Sequence, residues 1–274
     1  MMEKEIREIE LDLLLEAIFR RYGYDFRKYA RSSLHRRIAH RLAIMKLSHI
    51  AELVHPVLED ESCFKTILRD LSIDVTEMFR DPEFFQVLRK EILPFLSTYP
   101  FIRIWIAGCA TGEEAYSMAI LLKEEGLYER AKIYATDMNS ALIQKAREGH
   151  YAAKRIRKYT ENYHQAGGTG AFSDYYHAEK TGMAMDSSLK TNIVFAMHHL
   201  ATDEVFNEMH LILCRNVMIY FDDDLQNRAL GLFHRSLCDR GFLGLGTRET
   251  LRFSDYENNF ECVAEEERVY RKLS

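Results

Sequence analysis

The first third of this sequence contains almost no glycine or proline. There is no glycine between Gly23 and Gly108, and all four prolines (Pro56, Pro82, Pro94, Pro100) lie between positions 56 and 100. Without these breakers, tight hairpins are disfavoured and long helices are not interrupted. Residues 1 to about 75 therefore read as an all-helical domain, residues 76–100 as a linker and connecting helix, and residues 101–274 as a second domain of different character. Pairs of nearby cysteines are also missing. Cys63, Cys109, Cys214, Cys238 and Cys262 form an odd, scattered set with no CxxC, which excludes a disulfide framework and suits a reducing compartment. No apolar run approaches membrane-spanning length, and the acid-rich stretch Met1 to Glu10 has no secretory pattern. The expectation is a cytoplasmic protein without membrane insertion.

Acids are scarce in one segment. From Arg20 to Ile50 nine Lys or Arg face a single acid, Asp25, so the segment carries +8 while the whole chain is −5 and the remainder −13. Within it Leu34, Ile38, Leu42 and Met45 follow helical spacing and are expected to face inward. Arg31, Arg36, Arg37 and Arg41 then offer a docking surface for an acidic partner, against the simpler reading of a solvated helix face.

What the sequence does contain is concentrated in Arg103 to Lys123, RIWIAGCATGEEAYSMAILLK. Ile104, Trp105, Ile106 and Ala107 read as a strand buried on both faces. Gly108 and Gly112 bracket a sharp turn that lets backbone approach a ligand, and Thr111 with Glu114 has the spacing of a capping box at a helix start. This is the opening unit of a nucleotide-type, doubly wound α/β fold. Glu113 and Glu114 in the first helical turn would repel a pyrophosphate, and the third glycine of GxGxxG is missing, which disfavours a nicotinamide cofactor. A cationic ligand without phosphate, S-adenosylmethionine, fits better. The second strand, Lys132 to Thr136, ends at Asp137, where such folds place an acid on the ribose hydroxyls.

Other segments are expected as follows. Asp81 with Pro82 has the form of a capped helix start, and Pro94 marks a bend or an end. Residues 140–149 and 150–162 read as helices, Gly167 to Gly170 as a flexible connection, residues 174–186 as a hairpin with Gly182 near its turn, and residues 193–196 as a strand. His198 and His199 point apart on a strand, and no metal site is expected. Leu211, Ile212 and Leu213 form a central strand that delivers Cys214, Arg215 and Asn216 to its carboxyl end, where open α/β sheets bind ligands. Residues 222–238 read as a helix, and residues 242–246 and 267–273 as closing strands, the last pair antiparallel.

Together, LHRRIAHRL, DVTEMFRD, AGCATGEEAYS, ATDMN, CRNVMIYF, GFLGLGTRETL and ERVYRK resemble the CheR-type chemotaxis receptor methyltransferases over nearly the whole length. That resemblance implies a Rossmann-like S-adenosylmethionine methyltransferase sheet, an all-helical N-terminal domain and a small antiparallel β subdomain at about 164–190. It implies cofactor contacts from Asp74, Thr76, Arg80, Gly108, Glu113, Asp137, His199, Leu200 and Asn216, with Arg215 and Tyr220 close to methyl transfer. The expected substrate is a glutamate side chain in the cytoplasmic helical region of a chemoreceptor, the product S-adenosylhomocysteine, and the enzyme a monomer. The family usually has Asn at the positions of Asp74 and His199.

The chemistry is consistent with this on its own terms. A glutamate carboxylate, with a reference pKa of about 4.3, is already ionised at neutral pH and needs no general base to attack a sulfonium methyl. Two other readings are a cofactor-binding adaptor without turnover, and a methyltransferase acting on nucleic acid. The second lacks the Asn/Asp-Pro-Pro-aromatic motif of amine methylation and has no aromatics interleaved in its basic helix.

Overall fold

The computed structural model describes residues 2–72 and 76–274. They divide into a unit formed by residues 2–72 with 220–229, and a unit formed by residues 76–219 with 230–274.

In the first unit, α1 (Met2–Tyr22) buries Leu11, Leu14, Leu15 and Ile18, one helical face. α2 (Arg31–Met45), α3 (Val54–Glu59) and α4 (Glu61–Leu71) follow. Asp60 caps α4 by accepting from the Ser62 amide at 2.8 Å, and Phe64 of α4 stacks on Tyr22 with ring centroids 3.8 Å apart. α2 buries Leu34 and Ile38 as expected, but Leu42 is half-buried and Met45 is exposed, so the apolar stripe is shorter than its spacing suggests. Residues 220–229 belong with these helices. The Ala30 amide donates to the Tyr220 carbonyl at 2.8 Å, the Asp222 amide donates to the Lys28 carbonyl at 2.9 Å, and the Lys28 ammonium pairs with Asp224.

The second unit opens with α5 (Pro82–Val87) and α6 (Leu93–Leu96), joined by a π turn over Leu88–Ile92. Pro94 accounts for that turn, since its ring removes an N–H and crowds the carbonyl four residues earlier. The sheet strands are β1 (Ile102–Ala107) and β2 (Ala131–Asp137), with α7 (Glu113–Glu124) between them, and α8 (Ser140–Glu148) follows β2. Next come β3 (His150–Ala152), α9 (Ala153–Gln165), β4 (Tyr176–Ala178), β5 (Gly182–Met185), β6 (Ile193–Met197) and β7 (Met209–Cys214). α10 (Asp223–Ser236), β8 (Leu237–Leu245), β9 (Phe260–Ala264) and β10 (Val269–Lys272) complete the chain.

Seven strands form one sheet in the order β6-β2-β1-β7-β8-β10-β9. The pairs from β6 through β8 are parallel, and β10 runs antiparallel to both β8 and β9. This is the doubly wound methyltransferase sheet with an antiparallel edge. From β1 the chain winds first to β2 and β6, then returns past β1 to β7 and β8. The gap between the carboxyl ends of β1 and β7 is therefore the topological switch point where such sheets bind ligands.

A separate three-stranded antiparallel sheet has the order β3-β5-β4. It starts at His150, earlier than 164, because the first residues of the expected 150–162 helix pair as a strand with β5. Gly182 opens β5 where a Cβ would sit 2.0 Å from the Tyr151 carbonyl oxygen, so only glycine allows that close pairing. The strand β9 has no counterpart among the sequence expectations.

Candidate functional site

β1 ends at Ala107 and the chain turns at once. Gly108, Ala110 and Gly112 all have positive φ, at 77°, 48° and 91°. For Ala110 this is a strained conformation, and it is held by side chain and backbone at the end of β2. The Gly108 and Cys109 amides both donate to the Thr136 carbonyl, at 2.8 and 2.9 Å, and the Ala110 amide donates to Asp137 Oδ2 at 3.0 Å. Asp137 Oδ1 accepts from the Asn139 amide at 2.9 Å. Burial pushes the Asp137 carboxyl up to about 6, against the opposing pull of the Asn139, Ala110 and Met138 amides.

The expected capping box does not form. Gly112 occupies the cap position in a left-handed conformation, and the Thr111 hydroxyl instead donates to Glu113 Oε2 at 2.6 Å. A Cβ on Gly112 would lie 2.8 Å from the Ala146 Cβ, so the turn presses directly on α8. Glu113 is fully buried, and its other oxygen accepts from Arg155 Nη1 and the Tyr159 hydroxyl, both at 3.1 Å. Burial raises the pKa of Glu113, and the donors from Thr111, Tyr159 and Arg155 oppose that rise.

Arg215, delivered by the end of β7, is also buried. Its Nη1 pairs with Glu114 Oε1 at 2.6 Å; its Nη2 donates to Asp81 Oδ2 at 2.7 Å and to the Arg80 carbonyl at 2.9 Å. The guanidinium lies 4.1 Å from the centroid of the Phe84 ring. Asp81 therefore does not cap α5 as its position before Pro82 suggests. Its φ is 55° and its side chain makes no cap bond, because the carboxylate serves Arg215. Phe79 also has a positive φ, of 51°, so Arg80 is flanked on both sides by strained residues. That strain is anchored by the Phe79 amide donating to Ser117 Oγ at 2.9 Å and by Asn162 Nδ2 donating to the Met78 carbonyl at 3.0 Å. Thr76 and Arg80 line a cleft of about 260 Å³ together with Asp81, Lys158 and Asn162.

The remaining expected residues fall as follows. Asp74 lies outside the described residues. His199 follows β6, with its amide donating to Asp203 Oδ2 at 2.9 Å; burial lowers its imidazole pKa, opposed by Asp203. Leu200 beside it is buried. Asn216 has a φ of 61°, and its Oδ1 is buried without a hydrogen-bond partner. In the helical unit, the Tyr220 ring lies 5.6 Å from the Arg37 guanidinium. Arg37 Nη1 donates to the Asp70 carbonyl at 2.8 Å, and Arg41 holds the Asp70 carboxylate with two bonds at 2.5 and 2.8 Å. Arg31 pairs with Asp12 at 2.6 Å, and Arg36 is exposed.

Spacing along the chain did not reveal four members of this arrangement. Arg155 and Tyr159 reach Glu113 from α9, Asp81 reaches Arg215, and Glu249 reaches back to the segment after β7. Only Glu249 had a local signal, the glycine-rich Gly244 to Gly246 just before it.

The donor set suits S-adenosylmethionine. The buried Glu113 and half-buried Asp137 carboxylates match a cationic ligand with a ribose diol, and the unpartnered Asn216 Oδ1 can accept from an ammonium or amine. A Cβ on Gly108 would come 2.4 Å from Val217 Cγ2, so the turn has no room for a side chain. A family model described as "CheR methyltransferase, SAM binding domain" matches residues 74–269, and one described as "CheR methyltransferase, all-alpha domain" matches residues 9–72. The chain is 52% identical to the Cher3 protein of Pseudomonas putida, over 97% of each chain. It is 29% identical to a chemotaxis protein methyltransferase of Borreliella burgdorferi over 90% of each chain. With the chemotaxis protein methyltransferase of Escherichia coli it shares 26% identity, over 89% of this chain and 85% of that one. With both models together matching most of its length and a relative 52% identical across nearly all of it, this chain belongs to the CheR methyltransferase family and carries that family's S-adenosylmethionine-binding domain.

Proposed function

We propose that this protein is a protein-glutamate O-methyltransferase that esterifies glutamate side chains in the cytoplasmic helical region of a chemoreceptor, releasing S-adenosylhomocysteine. It acts as a cytoplasmic monomer. The observation that carries the reading is the pairing of a buried carboxylate, Glu113, and a half-buried one, Asp137, with the glycine turn of a CheR-type sheet. The chemotaxis protein methyltransferases among its relatives support the choice of substrate.

In this reading Glu113 and Asp137 hold the ammonium and ribose ends of S-adenosylmethionine, with Thr76, Arg80, His199, Leu200 and Asn216 completing the contacts and Asp74 belonging to the same set. The cofactor supplies an electrophilic methyl on a sulfonium. The protein needs no general base, because the glutamate arrives ionised; its work is orientation and exclusion of water, worth on the order of 7–11 kcal/mol for reactants held in line. Arg215 does not quench the nucleophile. Its charge is already met by Glu114 and Asp81, so it acts by fixing the strained Arg80 segment and the start of α7. Asn216 supplies a donor that steers the substrate carboxylate. On the helical unit, Arg36 and Arg31 meet the acidic receptor helix, while Arg37 and Arg41 shape that surface through their bonds to Asp70.

Calorimetric titration with S-adenosylmethionine and S-adenosylhomocysteine, beside NADH, tests the cofactor. Micromolar affinity for the adenosyl compounds only, lost in Asp137→Ala, is expected. Binding without any methyl transfer to receptor fragments would favour the adaptor reading.

A further inference from the structure

Glu249 lies after β8 in the loop Gly246 to Leu251 and is nearly fully buried, yet it makes no ion pair among the described residues. Its carboxylate is instead surrounded by backbone amides. Oε2 accepts from Gly246 at 2.6 Å and from Asn216 at 2.9 Å; Oε1 accepts from Val217 at 2.9 Å and from Met218 at 2.7 Å. Three of these four donors belong to the segment leaving β7, two strands' ends being tied by a single side chain. The arrangement leaves no slack. A Cβ on Gly246 would lie 2.7 Å from Glu249 Oε2 and 2.8 Å from the Asn216 nitrogen. Asn216 is held at positive φ with an unpartnered buried oxygen, and the next residue, Val217, packs on Gly108 of the cofactor turn.

We infer that Glu249 is a positioning residue for the cofactor site: its carboxylate gathers the amides of Asn216, Val217 and Met218 and thereby sets Asn216 against the glycine turn. This rests on the S-adenosylmethionine site proposed above. Glu249 touches neither cofactor nor substrate in this scheme and acts only through the segment it holds. The glycine turn has its own anchors, since the Gly108 and Cys109 amides bond Thr136 and the Ala110 amide bonds Asp137. Removing Glu249 is therefore expected to release one wall of the site and leave the other in place. Burial raises the Glu249 pKa against the four amide donors, which keeps the carboxylate dependent on their remaining aligned.

Amide hydrogen exchange on the whole protein, together with S-adenosylhomocysteine titration, tests this. In Glu249→Gln the carboxamide nitrogen replaces one acceptor, so one pair of amides meets a donor; in Glu249→Leu all four lose their partner. The expected result is faster exchange at Asn216, Val217 and Met218 with unchanged protection at Gly108 and Cys109. S-adenosylhomocysteine affinity should fall by about tenfold in Gln and further in Leu, the graded loss expected when a ligand selects an ordered minority. Gly246→Ala, which keeps the carboxylate but wedges it away from Asn216, should reproduce the Gln pattern and covers the case in which Leu does not fold. Unchanged protection at the three amides would overturn the inference, as would faster exchange with wild-type affinity. If the wild-type protein bound no adenosyl compound, the cofactor reading itself would fail, while the exchange pattern would still decide whether Glu249 holds the segment.

Discussion

Arg215 Nη1 stands 2.6 Å from Glu114 Oε1, a buried pair that joins the carboxyl end of β7 to the first turn of α7. In sequence the two residues are 101 apart, and each has a plausible separate role, Glu114 as a helix cap and Arg215 as a substrate ligand. The structure gives them to each other, with Asp81 as the second acceptor.

Breaking that pair should be costly. Glu114→Ala leaves a buried guanidinium with Asp81 alone, and a loss of about 3 kcal/mol of stability is expected, the range for stranding one partner of a buried ion pair. Chemical denaturation of the full chain measures it; a loss within about 0.5 kcal/mol, typical of surface changes, would show the pair to be dispensable.

Asp137 makes ligand affinity depend on pH. Its carboxyl is raised to about 6, and as a ribose ligand it must be ionised. One pH unit below that value about one molecule in eleven is ionised, so S-adenosylhomocysteine affinity should weaken about tenfold between pH 7.5 and pH 5. The sign for stability of the unligated protein is opposite for this group: because the folded state holds the proton more tightly, Asp137 destabilises progressively as pH rises from its ordinary 3.8 toward 6. Affinity independent of pH across that window would remove Asp137 from the ribose contact.

The four arginines of α2 and its approach should separate into two classes. Arg41→Ala unpairs the half-buried Asp70 and is expected to cost roughly 1–3 kcal/mol of stability, read by thermal unfolding. Arg36→Glu should leave the unfolding temperature within a degree or so and raise the KM for receptor fragments, with S-adenosylhomocysteine affinity unchanged. A KM effect confined to Arg41 would place the docking surface elsewhere.

Gly108 faces two separable penalties. Alanine there must adopt a φ of 77° and put its Cβ 2.4 Å from Val217 Cγ2. The left-handed conformation alone costs about 1–2 kcal/mol. In a double-mutant cycle, Val217→Ala should restore the steric part of the loss in Gly108→Ala while leaving the conformational part. Strict additivity of the two changes would mean that Val217 does not press on the turn.

The fold was largely legible because its signals are local. The run of apolar residues in β1 and β7, the glycine turn and the breaker-poor first third each depend on a few neighbouring residues. What was not legible depends on distance in sequence. Thr111 and Glu114 have capping-box spacing, yet the box loses because Glu113 takes the Thr111 hydroxyl and Arg215 takes Glu114. The strand β3 hides inside a basic helical pattern because only its pairing with β5 makes it a strand. Residues 220–229 look like a continuation of the α/β domain until Lys28 and Ala30 are seen bonding them. Arg155 carries no motif of its own and Glu249 is marked only by the glycines before it, because their partners are a carboxylate and backbone amides supplied by other elements.

The most direct test of the central claim is transfer of labelled methyl from S-adenosylmethionine to the cytoplasmic fragment of a chemoreceptor, followed by mild alkali. Glutamate methyl esters hydrolyse to methanol, so the account predicts label that enters the fragment, is released as volatile methanol, and is absent when the acceptor glutamates are changed to alanine. Label that stays on the fragment through alkali, or none transferred by a protein that binds S-adenosylhomocysteine well, would contradict it.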